Sequence, residues 1–240
     1  MSVNHVSLVV LLIISLLGCG TWVRAGETAT AEAAAPGIGD QPAPLPEAAA
    51  AFPEYPVSEV TERELALTPA EIAAVILDYT EQCKTCRYRV GSVVSQEVFE
   101  RAQHPHRFLV WQDVNKEINV LVGKIPFRSS SWTEVSVFAS ADQRTIIIDS
   151  RALDAQRAEA VSASYDRPSK PAFELLHSRW TITALPAQGD GAPRSLVAGI
   201  VGGKGAGIST LVPDSVMRKE LKGVMEETLD FVVVEDPERR

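Results

Sequence analysis

The chain has 240 residues, 45% of them hydrophobic and 22% charged, with a formal net charge of −8. This is globular composition, neither disordered nor collagen-like. The acidic balance argues against sequence-independent nucleic-acid binding and against docking by charge on an anionic lipid surface, since both need clustered Lys and Arg. Local basic clusters such as Lys84, Arg87 and Arg89 read as a solvated surface.

The first element is an apolar run, Val6 to Leu17 (VSLVVLLIISLL). Its length suits the hydrophobic region of a signal peptide better than a full membrane span. Three fates stay open. Signal peptidase would cut after Ala25, where Val23 and Ala25 stand at the −3 and −1 positions. Leu16-Leu17-Gly18-Cys19 resembles a bacterial lipobox, which would place a lipid on Cys19. Left uncleaved, Val6 to Val23 is just long enough to anchor the chain in a membrane. Residues 1–25 are therefore expected to export or anchor the chain, which would place it in the periplasm or on the envelope membrane. Residues 26–56, rich in Ala and Pro, follow. Proline breaks any helix the alanines could start, and there is too little apolar bulk to offset chain entropy. An extended linker is expected.

The folded domain is expected over 57–235. The second half of 57–67 reads as a strand. Thr68-Pro69-Ala70-Glu71 then opens a helix, with Thr68 as cap, Pro69 in the first turn and Glu71 at the capping-box position. Ile72, Val75, Ile76 and Tyr79 recur at helical spacing. Strand-like segments follow at Tyr88 to Val98, Arg107 to Val114, Glu117 to Val122, Trp132 to Ala139, Thr145 to Asp149, Ser178 to Leu185 and Ser195 to Val201. Ala141-Asp142-Gln143 and the stretch from Gln188 to Pro193 read as turns, so the sheet is expected to be antiparallel. From Pro213 onward, Met217, Leu221, Val224, Met225 and Thr228 share one helical stripe, while Arg218, Lys219, Lys222, Glu226 and Glu227 take the other side. Such a helix must bury its stripe, and the sheet is the large partner at hand.

This order, carried by Leu65-Ala-Leu-Thr-Pro-Ala-Glu-Ile72 with Leu77-Asp78-Tyr79, by Ser178-Arg-Trp-Thr-Ile-Thr-Ala-Leu-Pro186, and by Gly202-Gly203 with Leu211-Val212-Pro213, resembles the helix-grip fold of START-like proteins such as polyketide cyclases. The resemblance implies an α+β domain whose curved antiparallel sheet grips a long C-terminal helix. It departs from the usual pattern at Cys83-Lys-Thr-Cys86 and in the long stretch from Asp149 to Leu175. It also implies an apolar cavity between sheet and helix, and a hydrophobic small molecule or lipid as partner. The residues expected to line that cavity are Val110, Val120, Val122, Val135, Val137, Ile146, Ile148, Ile182, Val197, Met217, Leu221 and Met225.

Other motifs carry less. Cys83 and Cys86 read as a local disulfide or structural pair in an oxidising compartment. Zinc would need two more ligands, and haem attachment would need His where Arg87 stands. No metal or other cofactor is expected. His104 and His106 flank Pro105, which points to a loop. His177 lacks the surroundings of a catalytic Ser/His pair. The glycines from Gly199 to Gly207 miss the phosphate-loop spacing and read as a flexible connection, a lid hinge beside the cavity mouth. Binding or transport of the apolar ligand is the leading expectation, with no catalytic residue assigned. The alternatives are an enzyme such as a cyclase or hydrolase on the same fold, drawing on Asp113, Glu117, Glu134, Asp149 or Arg179, and a ligandless interaction domain.

Overall fold

The computed structural model describes residues 55–78, 93–120, 123–187 and 191–234. The leader with Cys19, the linker up to residue 54, Cys83 and Cys86, and Val122 lie outside the described residues. Among the described residues, no helix is long and apolar enough to cross a membrane.

In chain order the elements are β1 (Val57–Leu65), α1 (Pro69–Ile76), β2 (Val93–Phe99), β3 (Arg107–Val120), β4 (Gly123–Ala139), β5 (Thr145–Ala152), α2 (Ala155–Tyr165), β6 (Phe173–Ala184), β7 (Ser195–Gly205), a 3-10 turn (Gly207–Leu211) and α3 (Asp214–Val234). The seven strands form one antiparallel sheet in the order β1-β7-β6-β5-β4-β3-β2. β2 to β7 thus meander as neighbours, and β1 closes beside the last strand. With α3 packed on its inner face, this is the α+β helix-grip fold.

Local chemistry explains the elements. Thr68 Oγ1 accepts from the Glu71 N–H at 3.3 Å, and the Glu71 carboxylate accepts from the Thr68 N–H at 2.7 Å. This is the expected capping box, with Pro69 at the first helical position. The alternation on the strands sorts apolar side chains to one face, where Ile72, Phe108, Val110, Val135, Ile148, Ile182, Val197, Leu229 and Val232 make the main core.

Two expectations need correction. Arg107 to Val114 and Glu117 to Val122 are not two strands. β3 runs unbroken to Val120 and pairs throughout with β4, because Asn115, Lys116 and Glu117 keep the two-residue alternation despite their polarity. The glycines Gly199 to Gly205 are not a loose connection. They belong to β7, which stays paired with β6 to Gly205. Gly199 is needed because a Cβ there would overlap the Met225 methyl and the Trp180 ring. Gly202 admits the Tyr55 ring, which a Cβ would meet at 2.5 Å. The connection to α3 is the shorter segment around the 3-10 turn.

The long stretch after Asp149 holds α2, which covers the outer, convex face. Asp154 caps it, accepting from the Arg157 N–H at 2.9 Å. Beneath it lies a second apolar cluster of Leu109, Trp111, Trp132, Leu153 and Ala158. The Trp132 indole N–H donates to Ser162 Oγ at 2.9 Å, and that of Trp111 donates to the Pro168 carbonyl at 2.9 Å. Arg167 grips the Glu97 carboxylate with two nitrogens. The chain then returns to the sheet through paired Ser130 and Lys170.

Candidate functional site

α3 runs closest to β1, β7 and α1. A straight helix cannot follow the curved floor, so the middle strands stay uncovered. The result is a cavity of about 260 Å³, close to the lower end of small-molecule pockets, roughly 300–1,000 Å³. The sheet contributes every second residue. From β3 come Val110, Gln112, Val114, Lys116 and Ile118, and from β4 Phe127, Thr133 and Val135. β5 adds Ser150 and Ala152, and β6 adds Phe173, Leu176, Ser178 and Trp180. Val93, Val201 and Ile76 complete the wall. α3 supplies Met217, Glu220, Leu221, Val224, Met225 and Thr228, the stripe expected of an amphipathic helix.

Of the residues expected at the cavity, Val110, Val135, Met217, Leu221 and Met225 line it. Val120, Val137, Ile146, Ile148, Ile182 and Val197 do not. They face inward as expected, but Ile148, Ile182 and Val197 are sealed in one cluster with Ile72 and Ile76 of α1, and Val120, Val137 and Ile146 pack against that cluster. The first helix fills one end of the concave face, so Val137, Ile146, Ile148, Ile182 and Val197 make core there, whereas Val120 lies at the opposite end, on the β3–β4 hairpin beyond Ile118.

The cavity holds polar groups that an apolar pattern did not flag. Lys116 and Glu220 form an ion pair between β3 and α3, each side chain 27% exposed. That pair marks an end open to solvent. Gln112 donates to Gln96. Thr133, Ser150 and Ser178 place hydroxyls on the floor. Two-residue alternation from Val135, Ile148 and Trp180 identifies all three, once polar residues are kept in the count.

The charged residues near the middle of the sheet face the other way. Ser178 and Trp180 line the cavity, so His177 and Arg179 point out of the convex face. There Asp149, 6% exposed, accepts from His177 Nε2 at 2.7 Å, Arg179 Nε at 2.8 Å and Arg151 Nε at 2.9 Å. Burial pushes the Asp149 carboxyl up, but the hydrogen bonds and charges of His177 and Arg179 outweigh it and hold the group at about 2. The edge of Tyr55 covers His177, with ring centroids 6.1 Å apart. This network binds β5 to β6 and is placed to do no chemistry in the cavity. Glu134 is likewise held below the usual carboxylate range. Burial acts against this, and Arg157 and Arg107 outweigh it on the outer surface. Asp113 takes a hydrogen bond from Ser130, and Glu117 pairs with Lys124 on the β3–β4 hairpin. None of the four carboxylates considered for catalysis reaches the cavity. His104 and His106 lie in the turn before β3. Among the described residues, no group of His, Cys, Asp and Glu is placed to hold a metal ion.

Comparison with known proteins gives resemblance in structure alone. Neither a protein-family model nor a curated protein sequence matches the chain. Among similar solved structures is TTHA0849 from Thermus thermophilus, at 14% identity and a TM-score of 0.44, covering 75% of this chain and 99% of that one. A START superfamily protein from Mycobacterium smegmatis aligns at 13% identity and a TM-score of 0.43, over 73% and 93% of the two chains. Human STARD10 aligns at 13% identity and a TM-score of 0.42, over 72% and 63%. Such distant likeness carries no weight for ligand or activity, which rest on the cavity itself.

Proposed function

We propose that the domain binds a hydrophobic small molecule between its sheet and α3, and that it does so as a carrier or sensor in the cell envelope. The observation that carries this reading is the cavity of about 260 Å³ walled mainly by apolar side chains of β3, β4, β6 and α3. Close packing is the rule in protein interiors, and a void of this size leaves its lining without partner atoms. An apolar ligand restores those contacts. Each 100 Å² of its surface taken from water contributes about 2.5 kcal/mol before the costs of immobilisation. The envelope location rests on the apolar run from Val6 to Leu17. A binding role is favoured over an enzymatic one because Glu220, the carboxylate among the described cavity residues, is tied to Lys116.

The test is native mass spectrometry of the full chain, produced with its leader in a bacterial host. The reading expects a small molecule at one per chain that is lost on unfolding and recovered in organic extract. A chain that carries nothing, and that also takes up no apolar dye, would contradict it.

A further inference from the structure

The half-buried hydroxyls on the cavity floor differ from the fully buried hydroxyls among the described residues. Ser195 Oγ donates to the Leu67 carbonyl at 2.7 Å, and Thr228 Oγ1 donates to that of Val224 at 2.9 Å. Ser129 Oγ accepts from the Ala172 N–H at 3.1 Å, and Ser209 Oγ donates to the Ala172 carbonyl at 2.5 Å. Each is consumed by the fold. Among the described residues, the side chains of Thr133, Ser150 and Ser178 have no such partner, and all three line the cavity. Among those same residues, no side-chain oxygen or nitrogen that is fully sealed from solvent lacks a partner, so these three hydroxyls open onto the empty space.

Their placement is ordered. Ser150 and Ser178 are direct partners across β5 and β6, which sets their Cβ atoms about 5 Å apart. Thr133 stands opposite Ala152, so Ser150 is its diagonal neighbour, about 7–8 Å away. Three adjacent strands thus each present one hydroxyl to one patch. Val110, Val135 and Trp180 surround the patch with apolar surface. Its charge environment is neutral. His177, Arg179 and Asp149 sit on the opposite face of the sheet. Lys116 stands opposite Phe127, six positions along β4 from Thr133, or about 20 Å of strand. A hydroxyl left without a partner in apolar surroundings is costly, so the patch calls for an acceptor.

We propose that Ser150 and Ser178 donate hydrogen bonds to a carbonyl oxygen on the ligand, with Thr133 flanking the same patch, so that the cavity selects ketones, esters or amides over hydrocarbons of the same shape. This deepens the binding role proposed above and rests on it. The hydroxyls suit an uncharged acceptor, since no cation lies in the patch to neutralise a carboxylate. A carbonyl displaces whatever water satisfies the hydroxyls and keeps their bonds, whereas a hydrocarbon displaces it and leaves them unmet.

The test uses a pair of ligands that differ in one group: 2-acetylnaphthalene and 2-isopropenylnaphthalene, C=O against C=CH2. Each is titrated against the full chain loaded with the dye N-phenyl-1-naphthylamine, and displacement is read by fluorescence. The ketone is expected to compete about three- to tenfold better than the alkene, the ratio that one net hydrogen bond supplies. In the Ser150→Ala/Ser178→Ala variant the preference is expected to vanish while the alkene competes as before. Equal competition by ketone and alkene against the unaltered chain overturns the carbonyl proposal and leaves the cavity's binding role standing. The same holds if the double variant keeps the preference. Failure of the dye itself to bind overturns both. The comparison on the unaltered chain decides the matter even if the double variant does not fold.

Discussion

Replacing Asp149 by Asn probes how the sheet is held behind the cavity. The carboxylate joins β5 to β6 through His177 and Arg179, and both Asp149 and His177 are buried, at 6% and 3% exposure. Its pKa falls from an ordinary 3.8 to about 2 on folding. A depression of that size corresponds to about 2 kcal/mol, at roughly 1.4 kcal/mol per pH unit. Because the folded-state pKa lies below the unfolded one, this stabilisation is present in full above the unfolded value. It drains away as the pH falls through about 4 towards 2. The Asn variant, having no proton to take up there, loses the contribution at every pH. Urea unfolding followed by circular dichroism, run on both proteins at pH 7, 5, 3 and 2, should therefore show a gap of about 2 kcal/mol at pH 7 and 5 that closes towards pH 2. Acid effects common to both proteins cancel in the difference. A gap that is the same at pH 3 as at pH 7, or no gap at pH 7, would refute the reasoning.

Two further substitutions test the packing around the cavity and the outer layer. Gly199→Ala pushes a methyl into Met225 and Trp180, and should cost about 1–3 kcal/mol by urea unfolding as α3 is levered off β7. An unchanged midpoint would mean that helix and sheet are not so close. Ser162→Ala leaves the indole N–H of Trp132, a residue only 1% exposed, without its acceptor. A loss of about 1–3 kcal/mol is expected, with faster hydrogen exchange in α2; exchange unchanged there would show that the bond does not hold the helix down.

Much of the architecture is legible in the order of residues alone. Thr68, Pro69 and Glu71 announce α1 because capping is a local matter of three residues. The stripe of Met217, Leu221, Val224 and Met225 announces α3 because periodicity survives in a long helix. The seat of α3 on the sheet follows from the need to bury that stripe. α2 was not legible. Its sequence, AQRAEAVSASY, buries Ala158 and leaves most of its other side chains at the surface, so no apolar stripe betrays it. Trp111 and Trp132, which it covers, look like ordinary sheet residues until their partners are known. The cavity lining was half legible for a different reason. Inward direction follows from alternation, and Ile148, Ile182 and Val197 do point inward. Whether an inward residue meets ligand or core depends on where α1 lies across the sheet, which is a tertiary fact. The hydroxyls of Thr133, Ser150 and Ser178 share a face with Val135, Ile148 and Trp180, but an apolar pattern does not mark them.

Ligand binding by this domain requires vacant space above the floor of the sheet. Ser178→Phe sends a ring into that space from the middle of β6. Titration of N-phenyl-1-naphthylamine into the unaltered full chain and into this variant, with urea unfolding of both, reads the space directly. The account predicts saturable dye binding to the unaltered chain, loss of that binding in the variant, and a stability within about 1 kcal/mol of the original, since the ring enters a void instead of a filled core. Dye bound equally by both chains, or by neither, with a variant several kcal/mol less stable, would contradict it.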